Sequence, residues 1–231
     1  MARNSPVAIS WSGGKDSCLA WLRAREAGWP VSTFVTMCSA DGASLSHAVS
    51  PAVLAAQVAA LGGDLIRVEV PAGGYAAAFD QTLAALYASG HRRMVFGDID
   101  LAAHRVWITA ACERAGIEAL FPLWGRARSA VASEVIERGI RARLVCVRTD
   151  ALAADFCGRD YDAALLADLP PAVCPCGEDG EFHTLVTDAP GMKAPLRLRA
   201  LARRSVPALP PLSPAERVFQ DFALAEPDPA E

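Results

Sequence analysis

The sequence predicts an α/β protein: a five-stranded parallel sheet with helices on both faces, followed by a smaller C-terminal α+β region. Three observations lead there. Short apolar, β-rich runs alternate with longer stretches whose apolar residues recur at helical spacing. Glycines punctuate the ends of those stretches. The polar residues suited to chemistry directly follow apolar runs, as ligand-binding residues do at the carboxyl edge of an open α/β sheet.

Val7, Ala8 and Ile9 read as a short buried strand, and Cys18, Leu19, Trp21 and Leu22 mark a helix that Gly28 stops. Between them lies Ser12-Gly13-Gly14-Lys15-Asp16-Ser17, a strand-to-helix turn. Further strands are expected at Val31 to Met37, Leu65 to Val70, Met94 to Phe96 and Glu118 to Phe121. Helices start near Pro51, Tyr75 and Leu101 and stop at Gly62-Gly63, Gly90 and Gly116. After Pro122-Leu123-Trp124-Gly125 the pattern restarts, with a helix at Ala130 to Arg138, a strand at Ala142 to Val147 and a helix near Tyr161 to Ala167. Leu196 to Leu201 alternates at period two and reads as a solvated strand face rather than an RNA contact. Pro207, Pro210, Pro211 and Pro214, then acidic residues to Glu231, predict a mobile tail. The expected division is 1–124 for a nucleotide-binding domain, 125–205 for a smaller substrate-side domain and 206–231 for the tail.

With 231 residues, 52% hydrophobic and 21% charged, the chain can bury a substantial core. Its net charge of −4 provides no global basic field, so nucleic acid is not an expected partner. Seven cysteines without regular spacing do not form the framework of a small secreted domain. The first residues are too polar for a signal peptide, and no apolar run approaches the roughly 18 residues of a membrane span. A soluble, cytoplasmic protein is expected, with a homodimer left open.

Glycines in a strand-to-helix turn let backbone approach a ligand, and the unpaired amides of the new helix favour an anion. The bland alternative is that Ser12 caps the helix while Lys15 and Asp16 are solvated charges. Composition weighs against it: the chain has 2 lysines against 20 arginines, so a lysine inside this loop is unexpected. A Walker A loop is excluded, because Asp16 follows the lysine and Ile9 stands where the first glycine would fall. The string resembles the pyrophosphate loop (PP-loop) of N-type ATP pyrophosphatases, which split ATP between its α and β phosphates. That resemblance implies an adenine nucleotide alpha hydrolase-like fold of the Rossmann-like HUP class.

Asp98, at a strand end in Gly97-Asp98-Ile99, could hold Mg2+, a ribose hydroxyl or a substrate group, or could cap the next helix. His104 and Arg105 follow in that helix; Arg105 could touch an anion. Glu178 and Glu181 flank a glycine turn with Gly180, and His183 begins a strand. Such a stretch is either a catalytic lip or an exposed acidic turn. His47, in a serine-rich loop, could reach a nucleotide or be solvated. Cys174 and Cys176 form a lone Cys-x-Cys, which lacks the second ligand pair a zinc site needs.

Taken in order, the pyrophosphate loop, Gly97-Asp98-Ile99, Pro122-Leu123-Trp124 and Gly177-Glu178-Asp179-Gly180-Glu181-Phe182-His183-Thr184 resemble the diphthine-ammonia ligase family over about residues 7 to 200. Asp179 stands where the family usually has Asn. The resemblance implies ATP-dependent amidation: a carboxylate attacks the α-phosphate, pyrophosphate leaves, and ammonia displaces AMP. It implies phosphate binding by Ser12 through Ser17, charge compensation by Lys15 and a Mg2+ ligand in Asp16. It also implies catalytic roles for Glu178 and Glu181 without separating them, a general base for ammonium being one of those open to Glu181. The resemblance places His47, Asp98, Arg105, Gly180 and His183 around the nucleotide, the acceptor and the ammonia. The compact form is similar to bacterial relatives, which lack diphthamide, so the acceptor, a protein side chain or a small molecule, stays open. Two other readings remain: a tRNA-modifying PP-loop enzyme and a non-enzymatic adenine-nucleotide sensor.

Overall fold

The computed structural model describes residues 5–208 and 215–226. The first half is a parallel sheet of five strands: β1 (Val7–Ser10), β2 (Val31–Cys38), β3 (Asp64–Glu69), β4 (Arg93–Val95) and β5 (Glu118–Leu120), in the spatial order β3-β2-β1-β4-β5. Between them run α1 (Lys15–Glu26), α2 (Pro51–Leu61), α3 (Tyr75–Ala88) and α4 (Ala102–Arg114).

Period-two side chains explain why helices cover both faces. Val7, Ile9, Phe34 and Val95 pack into one core with Leu19, Trp21, Val53 and Leu54 of α1 and α2. Their alternates Ala8, Val35, Met94 and Phe96 form a second core with Phe79 and Leu83 of α3 and Ile108 and Cys112 of α4. The strand order reverses between β1 and β4, which opens a crevice at their carboxyl ends.

The second region holds α5 (Arg128–Glu137), β6 (Arg141–Arg148), α6 (Ala163–Asp168), β7 (Phe182–Asp188), β8 (Leu198–Val206) and β9 (Arg217–Leu224). Its four strands form an antiparallel sheet in the order β7-β6-β9-β8. The strand expected from Leu196 is β8, exposed along nearly its whole length. One expectation is corrected: the segment after 206 is not a tail throughout, because Arg217–Leu224 is a strand seated between β6 and β8. Val218, Gln220 and Phe222 turn inward at period two, a pattern that the flanking prolines and acidic residues obscure. Pro210, Pro211, Pro214 and the chain from 227 lie outside the described residues. The helix expected near Tyr161 starts at Ala163, where the Asp162 side chain accepts the Leu165 amide. Tyr161 itself is buried, with its ring tilted against Phe182. Among the described residues no helix is long and apolar enough to cross a membrane.

Candidate nucleotide site

The glycine loop joins β1 to α1 at the carboxyl edge of the sheet, beside the point where strand order reverses. Gly14, not Ser12, is the helix N-cap. The Ser12 hydroxyl instead folds back on the loop, accepting the Gly14 amide at 3.2 Å and lying 3.2 Å from Ser17 Oγ. Ser17 Oγ donates to the Gly14 carbonyl at 2.9 Å. The loop is thus braced by its own hydroxyls.

Strand β7 of the second region braces it from outside. Thr184 Oγ1 accepts the Lys15 amide at 3.1 Å, and the Val186 amide donates to the Gly13 carbonyl at 2.9 Å. Gln57, fully buried in otherwise apolar α2, ties three parts together. Its Nε2 donates to the carbonyls of Gly13 and Val186 at 3.0 and 2.8 Å, and its Oε1 accepts the Trp11 indole N–H at 2.8 Å. A Cβ on Gly14 would come within 2.4 Å of His47 Cε1 and 3.1 Å of the Thr184 carbonyl, so only glycine fits there. Likewise a Cβ on Gly97 would lie 3.0 Å from the Ser17 amide nitrogen and 3.1 Å from the Asp16 carbonyl carbon. The end of β4 therefore abuts the first turn of α1, which brings Asp98 near the loop.

The ionisable groups are not disposed as a solvated first turn would be. Lys15 is 2% exposed; its Nζ lies 2.8 Å from Asp16 Oδ2, donates to the Cys176 carbonyl at 2.5 Å and faces the rings of Tyr161 and Phe182 at 5.4 and 5.5 Å. Burial works against its charge, but Asp16 and its other neighbours outweigh that and raise its pKa. The ammonium is turned toward the second region, not outward to an open phosphate cradle. Asp16 Oδ1 is buried with no hydrogen-bond partner.

Glu178 and Glu181 have separate situations. Burial, then the Asp16 charge, push the Glu178 carboxyl up to about 7. Glu181 is 3% exposed, and its two oxygens accept the amides of Cys174 and Asp179 at 2.8 and 3.0 Å. With both oxygens engaged it fastens the 174–181 loop. Gly180 sits at the tip of that loop, and a Cβ there would lie 3.7 Å from Arg148 and 3.8 Å from Arg217.

Across the loop, His47 Nδ1 lies 2.7 Å from the Thr184 carbonyl, and its ring lies tilted against that of His183 with the centroids 4.8 Å apart. Asp98 lines a cavity of about 360 Å3 with Ser10, Tyr75, Phe96, His104 and Trp107. Burial raises the Asp98 carboxyl above its usual range; His104, 3.4 Å away, opposes this, and the Asp16 charge adds to it. Phe79 and Trp107 stack at 5.0 Å in the same wall. Arg105, on the exposed side of α4, lies over the rings of Trp124 at 4.6 Å and Phe121 at 5.5 Å. Cys176 Sγ lies 3.0 Å from the Arg128 carbonyl, and burial pushes the thiol up to about 12, so it is no poised nucleophile. Among the described residues no three His, Cys, Asp or Glu side chains group as a metal site.

Sequence reasoning assigned no role to Thr184, Gln57, Tyr161 or the aromatic wall. Only Gln57 left a signal, a polar residue at an inward helical position. The family model described as the diphthamide synthase N-terminal domain matches residues 5–119, and that of the C-terminal domain matches 128–205. The chain belongs to the diphthamide synthase family. Within wider comparisons, 93 residues are 29% identical to the diphthine--ammonia ligase of Schizosaccharomyces pombe, covering 38% of this chain and 15% of that protein. A crystal structure described as a predicted subunit of tRNA methyltransferase from Methanocaldococcus jannaschii is 18% identical, with a TM-score of 0.43 over 59% of this chain and 77% of that one.

Proposed function

We propose that this member of the diphthamide synthase family is an ATP-dependent ligase that adenylates a carboxylate, releases pyrophosphate and completes a C–N bond with ammonia. The observation that carries the reading is Asp16 Oδ1, a buried carboxylate oxygen without a partner in the first turn of the helix that follows the glycine loop. A buried acceptor left unpaired is costly, and a divalent cation or its water relieves that cost. Asp16 therefore fits a Mg2+ ligand. Bound there, Mg2+ would neutralise charge on the phosphates.

The chain's own residues account for the rest. The Asp16 and Ser17 amides in the first turn of α1, whose Lys15 amide is taken by Thr184, and the helix dipole favour the β and γ phosphates. The aromatic cavity lined by Tyr75, Phe96 and Trp107 accepts a planar base, and Asp98 at its mouth suits a ribose hydroxyl. Glu178, about half protonated at neutral pH, can in its protonated form approach the negative phosphates without repelling them and donate a hydrogen bond to a developing oxyanion. Lys15 acts indirectly, by fixing Asp16 and anchoring the Cys176 carbonyl against the loop.

The name of the matched Schizosaccharomyces pombe protein, diphthine--ammonia ligase, supports the amidation, and the acceptor is proposed only as a carboxylate. Purified protein incubated with ATP, Mg2+ and ammonium is expected to yield AMP and pyrophosphate once an acceptor is supplied. ADP and phosphate would point to a different enzyme. Tight ATP binding without turnover across candidate acceptors favours a nucleotide sensor.

A further inference from the structure

His47 is held more firmly than a loop side chain requires. It precedes Ala48, whose φ of +52° is the one left-handed non-glycine backbone among the described residues. That conformation costs about 1–2 kcal/mol, so the surrounding contacts must impose it. Ser44 closes the turn, its carbonyl accepting the Ala48 amide at 2.8 Å and its Oγ the Val49 amide at 3.1 Å, while the His47 ring is fixed by the Thr184 carbonyl, 2.7 Å from Nδ1, and by Gly14, whose missing Cβ leaves the room that Cε1 fills. A carbonyl only accepts, so Nδ1 carries the proton, and the neutral ring presents Nε2 as a bare lone pair. Nε2 makes no hydrogen bond among the described residues and is not buried away.

His47 also lines a second cavity, of about 460 Å3, whose walls include Ser44, Leu45, Leu185, Arg204 and Phe222. It opens between the β2–α2 segment and the antiparallel sheet, whereas the aromatic cavity opens between α3 and α4 on the other face of the parallel sheet. The phosphate loop lies between the two. The charged groups facing the His47 ring are Lys15 and Asp16 from α1, with Asp41, Arg204 and Asp221 around the cavity; Arg217 acts on neighbouring His183. Burial, then Lys15, pulls His47 down to about 4 against the opposing Thr184 bond, and His183 is lowered well below its ordinary value too. Two neutral imidazoles beside a buried ammonium form a poor seat for another cation and a good one for a neutral donor.

We propose that this second cavity is the port for the nitrogen nucleophile, and that His47 receives ammonia or a small primary amine there in its neutral form, Nε2 accepting one N–H. The inference rests on the C–N ligase reading above. In the step it serves, the nitrogen lone pair forms the C–N bond while the acyl carbon's bond to the AMP oxygen breaks. AMP carries off that electron pair, and the surplus proton leaves to solvent. His47 orients the lone pair by holding the hydrogen opposite it.

The test uses the full chain with 15N-labelled histidine, with and without a nonhydrolysable ATP analogue, titrated with methylammonium chloride across a pH series. A saturable shift of the His47 Nε2 signal is expected. Its midpoint in total amine should fall about tenfold per pH unit below the amine's own pKa, following the neutral fraction. Tetramethylammonium should give no shift. His47→Asn, which keeps a donor for Thr184 and removes the Nε2 acceptor, should weaken amine binding by about tenfold, the scale of one hydrogen bond, as read in both chains on the ring signals of the adjoining His183. A midpoint independent of pH, an equal response in His47→Asn, or no shift at all would overturn the proposal, and the pH series on the unmodified chain decides even if the variant loses its loop. Failure of the analogue to bind counts against the nucleotide reading instead, and the titration of the free chain still reports on the port.

Discussion

Asp16 divides its carboxylate between two tasks: Oδ2 lies 2.8 Å from Lys15 Nζ, while Oδ1 is buried and unpartnered. One oxygen is fixed so that the other is aimed. Asp16→Asn keeps the side chain's shape and an oxygen for Lys15 but removes the charge a cation needs. Pyrophosphate release should fall at least about a hundredfold, the scale of one preorganised electrostatic contact. Because Lys15 then stays buried without its counter-charge, a stability loss of about 1–3 kcal/mol is also expected by chemical denaturation. Unchanged turnover would remove Asp16 from the metal.

Glu181→Gln tests the loop fastening. The amide offers one acceptor oxygen where the carboxylate offers two, so either the Cys174 or the Asp179 N–H loses its partner. A destabilisation of about 1–3 kcal/mol is expected, with turnover falling because the 174–181 loop carries Glu178 and the carbonyl that holds Lys15. If Glu181 were instead a free base, the variant would lose turnover with its melting temperature unchanged.

Glu178 gives a pH signature. Its carboxyl is raised from 4.5 to about 7 in the folded chain, so the native state binds a proton more tightly than the unfolded state. Below the unfolded value both states are protonated and there is no cost. As pH rises toward about 7 the unfolded chain ionises first, and this group progressively destabilises the fold; above that the cost is constant. Glu178→Gln should therefore gain stability relative to the parent across that window and show no relative gain in more acid solution. Parallel denaturation curves at several pH values check it, and a gain that does not vary with pH contradicts it.

Trp107 is 39% exposed and forms one wall of the aromatic cavity, so Trp107→Ala should leave the fold intact. Removing a stacking surface worth roughly 1–3 kcal/mol should weaken ATP binding by about tenfold or more. Calorimetric titration with ATP reads this directly, and equal affinities would place the base elsewhere.

The sheet, its helices and the glycine loop were legible in the sequence because each is a local pattern: Val7 to Ile9 before Gly13-Gly14, Pro51 opening a helix, Gly62 closing it. Strand β9 was not, since its inward residues Val218, Gln220 and Phe222 include a polar member and lie among prolines and acidic residues. The side-chain roles were less legible still. Lys15 and Glu181 were singled out by residue type and motif, yet their partners, the Cys176 carbonyl and the Cys174 amide, are backbone groups in a loop whose course only the tertiary structure defines. Arg105 stacks on Trp124 for the same reason: helix spacing gives a face, not a neighbour.

The most direct measurement is a crystal structure of the chain soaked with a nonhydrolysable ATP analogue and Mg2+. The account predicts the β and γ phosphates on the first-turn amides of α1, the cation on Asp16 Oδ1 and the base beside Trp107. An analogue bound elsewhere, with the Gly13–Ser17 turn bare, would contradict it.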